Sequence, residues 1–477
     1  MGRPHADPAR PAPEFAARSE RTEHGARQRR RTPFSAIAAF DPAPDRDPLA
    51  LLESQAPTRV PELVPVRYGR MAVSQFSFFR GAALVMADDL ARVPSTGLHT
   101  QLCGDAHLSN FGLYATPERQ LAFDVNDFDE TYPGPFEWDV KRLVASLAVA
   151  GRDNGFKRKQ RRRITRACVA EYRETMTYQA GRGELAVWYS HIDAAADMAE
   201  LRDVLDSSAR KRVQKTIDKA WGRDSFQALS KLTTPANGKP RIVSMPPLIV
   251  PVEELFAGAD AEMVHRGLMQ RLADYRGTLQ PNRRFLLDRF EYVHAARKVV
   301  GVGSVGTRTW IILLHGPGDE PLFLQAKEAQ RSVLARYVDG PGYTNQGKRV
   351  VTGQRLMQAA SDIFLGWQQH PDPDPDGVAR DFYIRQLRDG KGSAVIETMS
   401  PDLMALYGRL CARVLAQAHA RGGDRFAIAG YLGSDDEFDA TMSDFAEDYA
   451  DQNALDHAEL RRAIDDGRIA ATLGTDS

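Results

Sequence analysis

The chain has 477 residues, 43% of them hydrophobic and 26% charged, and its 63 Lys and Arg balance 63 Asp and Glu. That length exceeds one ordinary core, so two or three packed units are expected. Zero net charge gives no general attraction to nucleic acid or an anionic membrane, and no apolar run approaches the roughly 20 residues that span a bilayer. The first residues lack the apolar middle of a secretory signal. Cys103, Cys168 and Cys411 are odd in number and far apart, which argues against a disulfide framework and points to a reducing, cytoplasmic setting.

Charge is uneven along the chain. Residues 1–31 hold eight Arg against four acids, whereas 435–466 hold twelve Asp and Glu. Residues 1–45, rich in Pro, Ala and Arg without apolar periodicity, read as a disordered basic arm. Its "RQRRR" at 27–31 reads as a solvated tail.

Residues 46–284 read as a mainly helical lobe. "VSQFSFFRGAALVMADDLARV" repeats apolar residues at helical intervals. In "LHTQLCGDAHLSNFGLYATPERQLAFDVNDFDE" a polar loop leads into a strand from Phe111, a turn at "TPERQ" and a returning strand "LAFDV". "EWDVKRLVASLAVAGRDNG" is helical, and "KRKQRRRITRACVAEYRETM" spreads its Lys and Arg along one helix face. Residues 285–400 turn to a β pattern, with "ARKVVGVG", "TRTWIILL" and "LFLQAKEA". From 401 to 477 the pattern is helical again. "PDLMALYGRLCARVLAQAHARGG" has Pro401 near its start and Gly422 or Gly423 at its end, and the acidic terminus reads as a solvated helix. The class is α+β.

Gly301, Gly303 and Gly306 form G-x-G-x-x-G, with Ser304 between them. A dinucleotide-binding turn would open a helix, but "TRTWIILL" reads as a strand. A glycine turn between two strands makes a flap whose backbone closes on nucleotide phosphates. The third strand brings up Lys327, a cation in an apolar segment suited to phosphate oxygens. Its acidic partner is not evident: Glu328 points to the opposite face, which leaves Asp362 as the candidate.

In "CGDAHLSNFG", Asp105 and Asn110 flank a tight loop. Phosphoryl transfer needs a carboxylate to accept or orient the proton of the nucleophile, and oxygen ligands for Mg²⁺. Asp105 suits the first task, and Asn110 with Asp127 of "VNDFDE" the second. Asp124 and Asp129 compete for the metal. Asp105-x-His107 also has the look of a metallophosphoesterase ligand pair, but the further G-N-H-[ED] stretch is missing. A structural loop cap is the bland alternative. Arg67, Arg70 and Arg80 precede the loop, either to hold an anion or to brace Asp129, Glu130 or Asp139, bracing being preferred. Arg385, Asp389 and Lys391 form a polar cluster with no assigned role.

"GDAHLSN" and "NDFDE" resemble the H-G-D-x-x-x-x-N and I-D-[FW]-[DE] signatures of aminoglycoside and choline kinase-like phosphotransferases. The resemblance implies Asp105 as catalytic base, Asn110 and Asp127 as Mg²⁺ ligands, and Asp139 as a structural acid. The longer strings "VPVRYGRMAVSQFSFFRGAA", "QLCGDAHLSNFG", "NDFDETYPGPFEWDVKRL" and "GVGSVGTRTWIILL" resemble an uncharacterised bacterial family, the domain of unknown function 2252, regarded as kinase-like in fold. The expectation is a protein-kinase-like two-lobe fold in circularly permuted order, with the helical catalytic lobe before the β-rich nucleotide lobe. It would transfer phosphate from ATP with Mg²⁺ to an unidentified hydroxyl acceptor. A nucleotide-binding sensor or scaffold without catalysis is the alternative.

Overall fold

The computed structural model describes residues 17–193, 207–222, 224–236, 239–256, 261–370, 377–387 and 390–474. It is a mixed α+β structure in which all the paired strands run antiparallel. Helices α1 (Arg18–Arg31), α2 (Val64–Met71), α3 (Gln75–Gly81) and α4 (Ala83–Ala91) come first. Strand β1 (His99–Leu102) pairs with β4 (Tyr132–Pro135), and between them lies the hairpin of β2 (Phe111–Ala115) and β3 (Leu121–Val125). Helices α5 (Phe136–Asp153) and α6 (Arg158–Ala180) follow.

The chain then builds a six-stranded sheet. After α7 (Ser225–Leu232) come β5 (Ile249–Pro251), β6 (Glu291–Lys298), β7 (Thr309–His315) and β8 (Pro321–Glu328). Helix α8 (Gln346–Met357) precedes β9 (Gly366–Trp367) and β10 (Phe382–Gln386), and the sheet order is β9-β10-β8-β7-β6-β5. Helices α9 (Pro401–Gly422), α10 (Arg425–Leu432) and α11 (Glu437–Asp465) close the chain.

The two faces of the sheet follow the alternation of the strands. Ile312, Leu314, Leu322 and Leu324 pack toward Tyr275 and Leu279, whereas Ile311, Leu313 and Phe323 pack on Ala228, Leu232 and Ile242. Ala228, Leu232, Ile242 and Ile249 thus pack in one cluster with this face of the sheet. The largest core joins the hairpin to α5, α6 and α9, through residues such as Phe111, Val144, Val169 and Leu415. Helix α9 therefore returns across the sheet segment to lie along α6.

Three expectations are corrected. Residues 18–31 are not a disordered arm but helix α1, and its "RQRRR" is not a free tail. Gly25 lets α1 approach α10 so closely that a Cβ there would sit 1.9 Å from the carbonyl of Ala427. Arg29 pairs with Asp435 at 3.0 Å and with Glu437 at 2.7 Å. Residues 1–16 lie outside the described residues. The acidic terminus is likewise not merely solvated: α11 buries Phe438, Met442, Phe445 and Leu460, and its acids take the arginines of α6. Arg161 meets Glu447 and Arg173 meets Asp439. The helix expected across 73–93 is broken at Ala82 into α3 and α4.

All three cysteines are free and buried. Among the described residues, no helix is long and apolar enough to cross a membrane. Arg46 ties the start of the chain to its end, bridging Asp89 at 2.6 Å and Asp456 at 2.6 Å with all three side chains at most 4% exposed. Arg46→Met would leave two buried carboxylates without a cation. A loss of about 3–5 kcal/mol, read by urea denaturation, is expected.

Candidate active site

The loop after β1 is set by glycine geometry and by one acid of α5. Gly104 has φ +83°, and a Cβ there would sit 2.3 Å from the carbonyl of Glu130. Asp139 accepts the N–H of Cys103 at 2.8 Å and of Gly104 at 3.0 Å. Its Oδ2 also lies 3.2 Å from His419 Nε2, and His419 Nδ1 lies 2.8 Å from the Tyr172 hydroxyl. With Nε2 protonated, the imidazole donates to Asp139 and accepts from Tyr172, so α6, α9 and α5 hold the loop together.

This loop delivers Asp105, whose Oδ1 accepts from Arg142 Nε at 2.8 Å. Arg142 in turn lies 3.8 Å over the Phe79 ring and donates to the Phe79 carbonyl. Burial lifts the Asp105 carboxyl to about 6, with Arg142 pulling it back. Asn110 Nδ2 donates to the Asp105 carbonyl at 2.8 Å, and the Asn110 carbonyl accepts from Asn126 N–H at the end of β3. His107 is buried and, with Arg80 and Arg142 adding to desolvation, held well below its usual range. Its Nε2 is 3.6 Å from Asp105, and its Nδ1 has no hydrogen-bond partner.

From the sheet, β8 brings Lys327 to the same point. Its Nζ donates to Asp129 at 2.6 Å and to Asp127 at 3.3 Å. Asp129 also accepts from the Tyr383 hydroxyl of β10 at 2.6 Å and from Ser304 Oγ at 3.3 Å. Burial would raise Asp127, but Lys327 and Arg385 outweigh it and hold the carboxyl below the usual range. The partner expected at Asp362 is corrected. Lys327 pairs with Asp127 and Asp129 instead, while Asp362 accepts the N–H groups of Phe364 and Gln386. Asp124 is not at this point either: it sits in β3 and accepts the N–H groups of Val125 and Ala359.

The glycine loop links β6 to β7, with Gly301 at φ +66° and Gly306 at φ +90°. It is pinned through its carbonyls. Arg70 donates to Gly301, Arg59 to Gly303 and Val305, and the N–H of Val60 to Gly306. Arg67 donates to Gln55 and to the Gly81 carbonyl. The preferred bracing of Asp129, Glu130 or Asp139 by Arg67 or Arg80 is not found, since those acids take the partners already named and Glu130 accepts the N–H of Val333.

Asp105, Asn110, Asp127, Asp129 and the 301–304 loop share the walls of one cleft of about 690 Å³, and Arg59, Arg67 and Arg80 line it too. A second cleft of about 650 Å³ opens on the other side of Asn126, lined by Tyr114, Gln325, Arg385 and Lys391. The family model described as "Uncharacterized protein conserved in bacteria (DUF2252)" matches residues 59–463. The chain belongs to that family. No curated protein and no solved structure matches it.

The span matched to DUF2252 holds the discussed residues that line this cleft, from Arg59 to Ser304, apart from Gln55. Arg59, Arg142 and Tyr383 were not legible from the sequence, because none stands in a motif and each acts on a segment far along the chain. Asp389 lies outside the described residues, while Arg385 donates to Gln325 and to the Asn126 carbonyl. No group of three or more His, Cys, Asp and Glu side chains fit to hold a metal occurs among the described residues. Asp127 and Asn110 face the same cleft, and one or two protein oxygens completed by water and phosphate are the usual set for Mg²⁺.

Lys327→Met would leave Asp127 and Asp129 as adjacent half-buried carboxylates without a cation. A loss of about 3 kcal/mol at pH 7 is expected, near the low end for breaking a buried pair because both acids are partly exposed. The wild-type Asp127 carboxyl sits low, so its contribution persists from pH 7 down to pH 4. In the variant one carboxyl rises above its unfolded value, which favours the folded state as pH falls. Chemical denaturation at both pH values should therefore give a larger loss at pH 7 than at pH 4.

Proposed function

We propose that this DUF2252 protein is an ATP- and Mg²⁺-dependent phosphotransferase with a kinase-like two-lobe fold in permuted order. The observation that carries the reading is the bridge from Lys327 to Asp127 and Asp129. It joins a strand behind a glycine loop to an acidic segment about 200 residues earlier, beside Asp105 and Asn110. On this reading Lys327 and the amides of the 301–304 loop neutralise phosphate oxygens, and Asn110 with Asp127 holds the metal, which would polarise the transferring group. Asp105, within the same cleft, orients the acceptor hydroxyl and takes its proton. Permutation is supported by chain order: the acids at 105–129 precede the loop and lysine at 301–327, and α9 then returns to α6.

One observation favours a second reading, a nucleotide-binding protein without transfer. The Arg142 guanidinium occupies one oxygen of Asp105 and weakens it as a base.

A thermal-shift titration with ATP, with and without Mg²⁺, followed by transfer assays with labelled ATP, tests both. Metal-dependent stabilisation with phosphate transfer supports the enzyme. Asp105→Asn should cut the rate by about 10²–10⁴-fold with nucleotide stabilisation retained, and Asp127→Asn should remove the Mg²⁺-dependent part of that stabilisation. Because Asp105 must be ionised to accept a proton and its carboxyl titrates at about 6, kcat/KM should fall as pH drops below that value. Stabilisation without transfer to any hydroxyl acceptor favours the second reading, and no stabilisation by ATP and Mg²⁺ overturns both.

A further inference from the structure

Asp105, Asp127 and Asp129 of the cleft are accounted for by cations, but some of its arginines are not accounted for by acids. Bare buried Nε atoms also occur singly outside this cleft, on Arg152, Arg284 and Arg297, but other arginines taken out of water are saturated. Arg46 holds two carboxylates, and Arg349 gives Nε to Gln346 and its other nitrogens to the carbonyls of Thr131, Asp129 and Gln330. Arg67 is 1% exposed, yet its Nε and one terminal nitrogen have no partner. Arg59 is 6% exposed and its Nε is bare, and the Nε of Arg80 is buried and bare as well. Each of the three lines the cleft that holds Asp105 and the glycine loop.

A buried cation without a counter-charge is costly, and the cost is relieved when an anion docks. Desolvation pushes all three guanidiniums below their ordinary range, and Arg59 adds to the effect at Arg67. Glu397 and Asp105 act on Arg80 and only partly offset this, Asp105 being already paired with Arg142, and the acids in reach of Arg59 do not cancel it either. Glu130, lifted by burial to about 7, gives its carboxylate to Val333 N–H, and Glu328 gives its own to the N–H of Arg308. On the same wall, the N–H groups of Gly303 and Ser304 have no acceptor among the described residues. Guanidinium forks beside free backbone amides match the geometry of a phosphate-type oxyanion.

We infer that Arg59, Arg67 and Arg80 form an oxyanion pocket in this cleft, made for a phosphate group brought either by the nucleotide or by the acceptor. The pocket does not depend on the phosphotransferase reading, since it would bind the anion without metal or turnover.

The test is thermal stability and calorimetric binding of the full chain with inorganic phosphate and pyrophosphate, without Mg²⁺ or nucleotide, against chloride at equal ionic strength. Phosphate or pyrophosphate should stabilise where chloride does not. Arg67→Met and Arg80→Met should weaken that binding by roughly ten- to a hundredfold, while the unliganded melting temperature holds or rises because a bare buried charge is gone. Should Arg67→Met fold poorly, Arg80→Met, at a half-buried position, carries the test, with the exposed Arg92→Met, outside the cleft, as a control that keeps the anion response. A response equal to chloride, or one unchanged in both arginine variants, overturns the pocket. If ATP with Mg²⁺ no longer stabilises Arg67→Met, the phosphate is the nucleotide's. If it still does while free phosphate no longer binds, the phosphate is the acceptor's. A phosphate response with no response to ATP and Mg²⁺ supports the pocket and retires the phosphotransferase reading.

Discussion

The contact on which the cleft depends is the ammonium of Lys327 held between the carboxylates of Asp127 and Asp129. Two carboxylates so close would repel in a buried setting, and a buried lysine without acids would lose its proton. Each side makes the other tolerable, so the sheet and the helical part of the chain are joined by a charge pair as well as by apolar packing. Tyr383 and Ser304 also donate to Asp129. The same acid therefore fixes the lysine strand, the neighbouring strand and the glycine loop.

Charge also organises the periphery. A chain with no net charge keeps its basic residues near the start and in α6, and its acidic residues in α11. Folding brings these together: Arg29 with Asp435, Arg161 with Glu447, Arg173 with Asp439, and Arg46 between Asp89 and Asp456. The exposed pairs contribute little each. The buried ones specify which helices pair, because α11 would bury uncompensated acids against any other partner. Charge segregated along the sequence thus becomes pairing between helices in the fold.

Local chemistry was legible and distant partnership was not. The hairpin from Phe111 to Val125, the glycine turn between two strands and the helix from Pro401 all follow from alternation, β-branched content and capping within a few residues. For Lys327, reasoning along the strand reaches only Glu328, on the opposite face, and leaves Asp362 as an open candidate. The true partners lie about 200 residues upstream. Helix α1 escaped for the same reason: its own apolar face is thin, and its stability comes from Gly25 against α10 and from acids some 400 residues away. Within the acidic stretch, Asp127 and Asp129 differ from Asp124 only in which side of the strand end they leave, something composition does not encode.

The glycine loop is where the arrangement departs most from a loose flap. Four of its carbonyls are tied to Arg59, Val60 and Arg70, so its backbone is fixed from outside while Gly303 and Ser304 line the cleft. A loop held by its acceptors presents its donors already ordered, and an anion meeting it loses less freedom in ordering the protein. The opposite side of the cleft is ordered too, since Asp139 and the His419–Tyr172 pair fix the backbone that carries Asp105. The cleft thus sets fixed donors against fixed carboxylates. A ligand that satisfies both sides must itself be divided in charge, with an oxyanion toward the arginines and loop and a cation or an acidic proton toward Asp105 and Asp127.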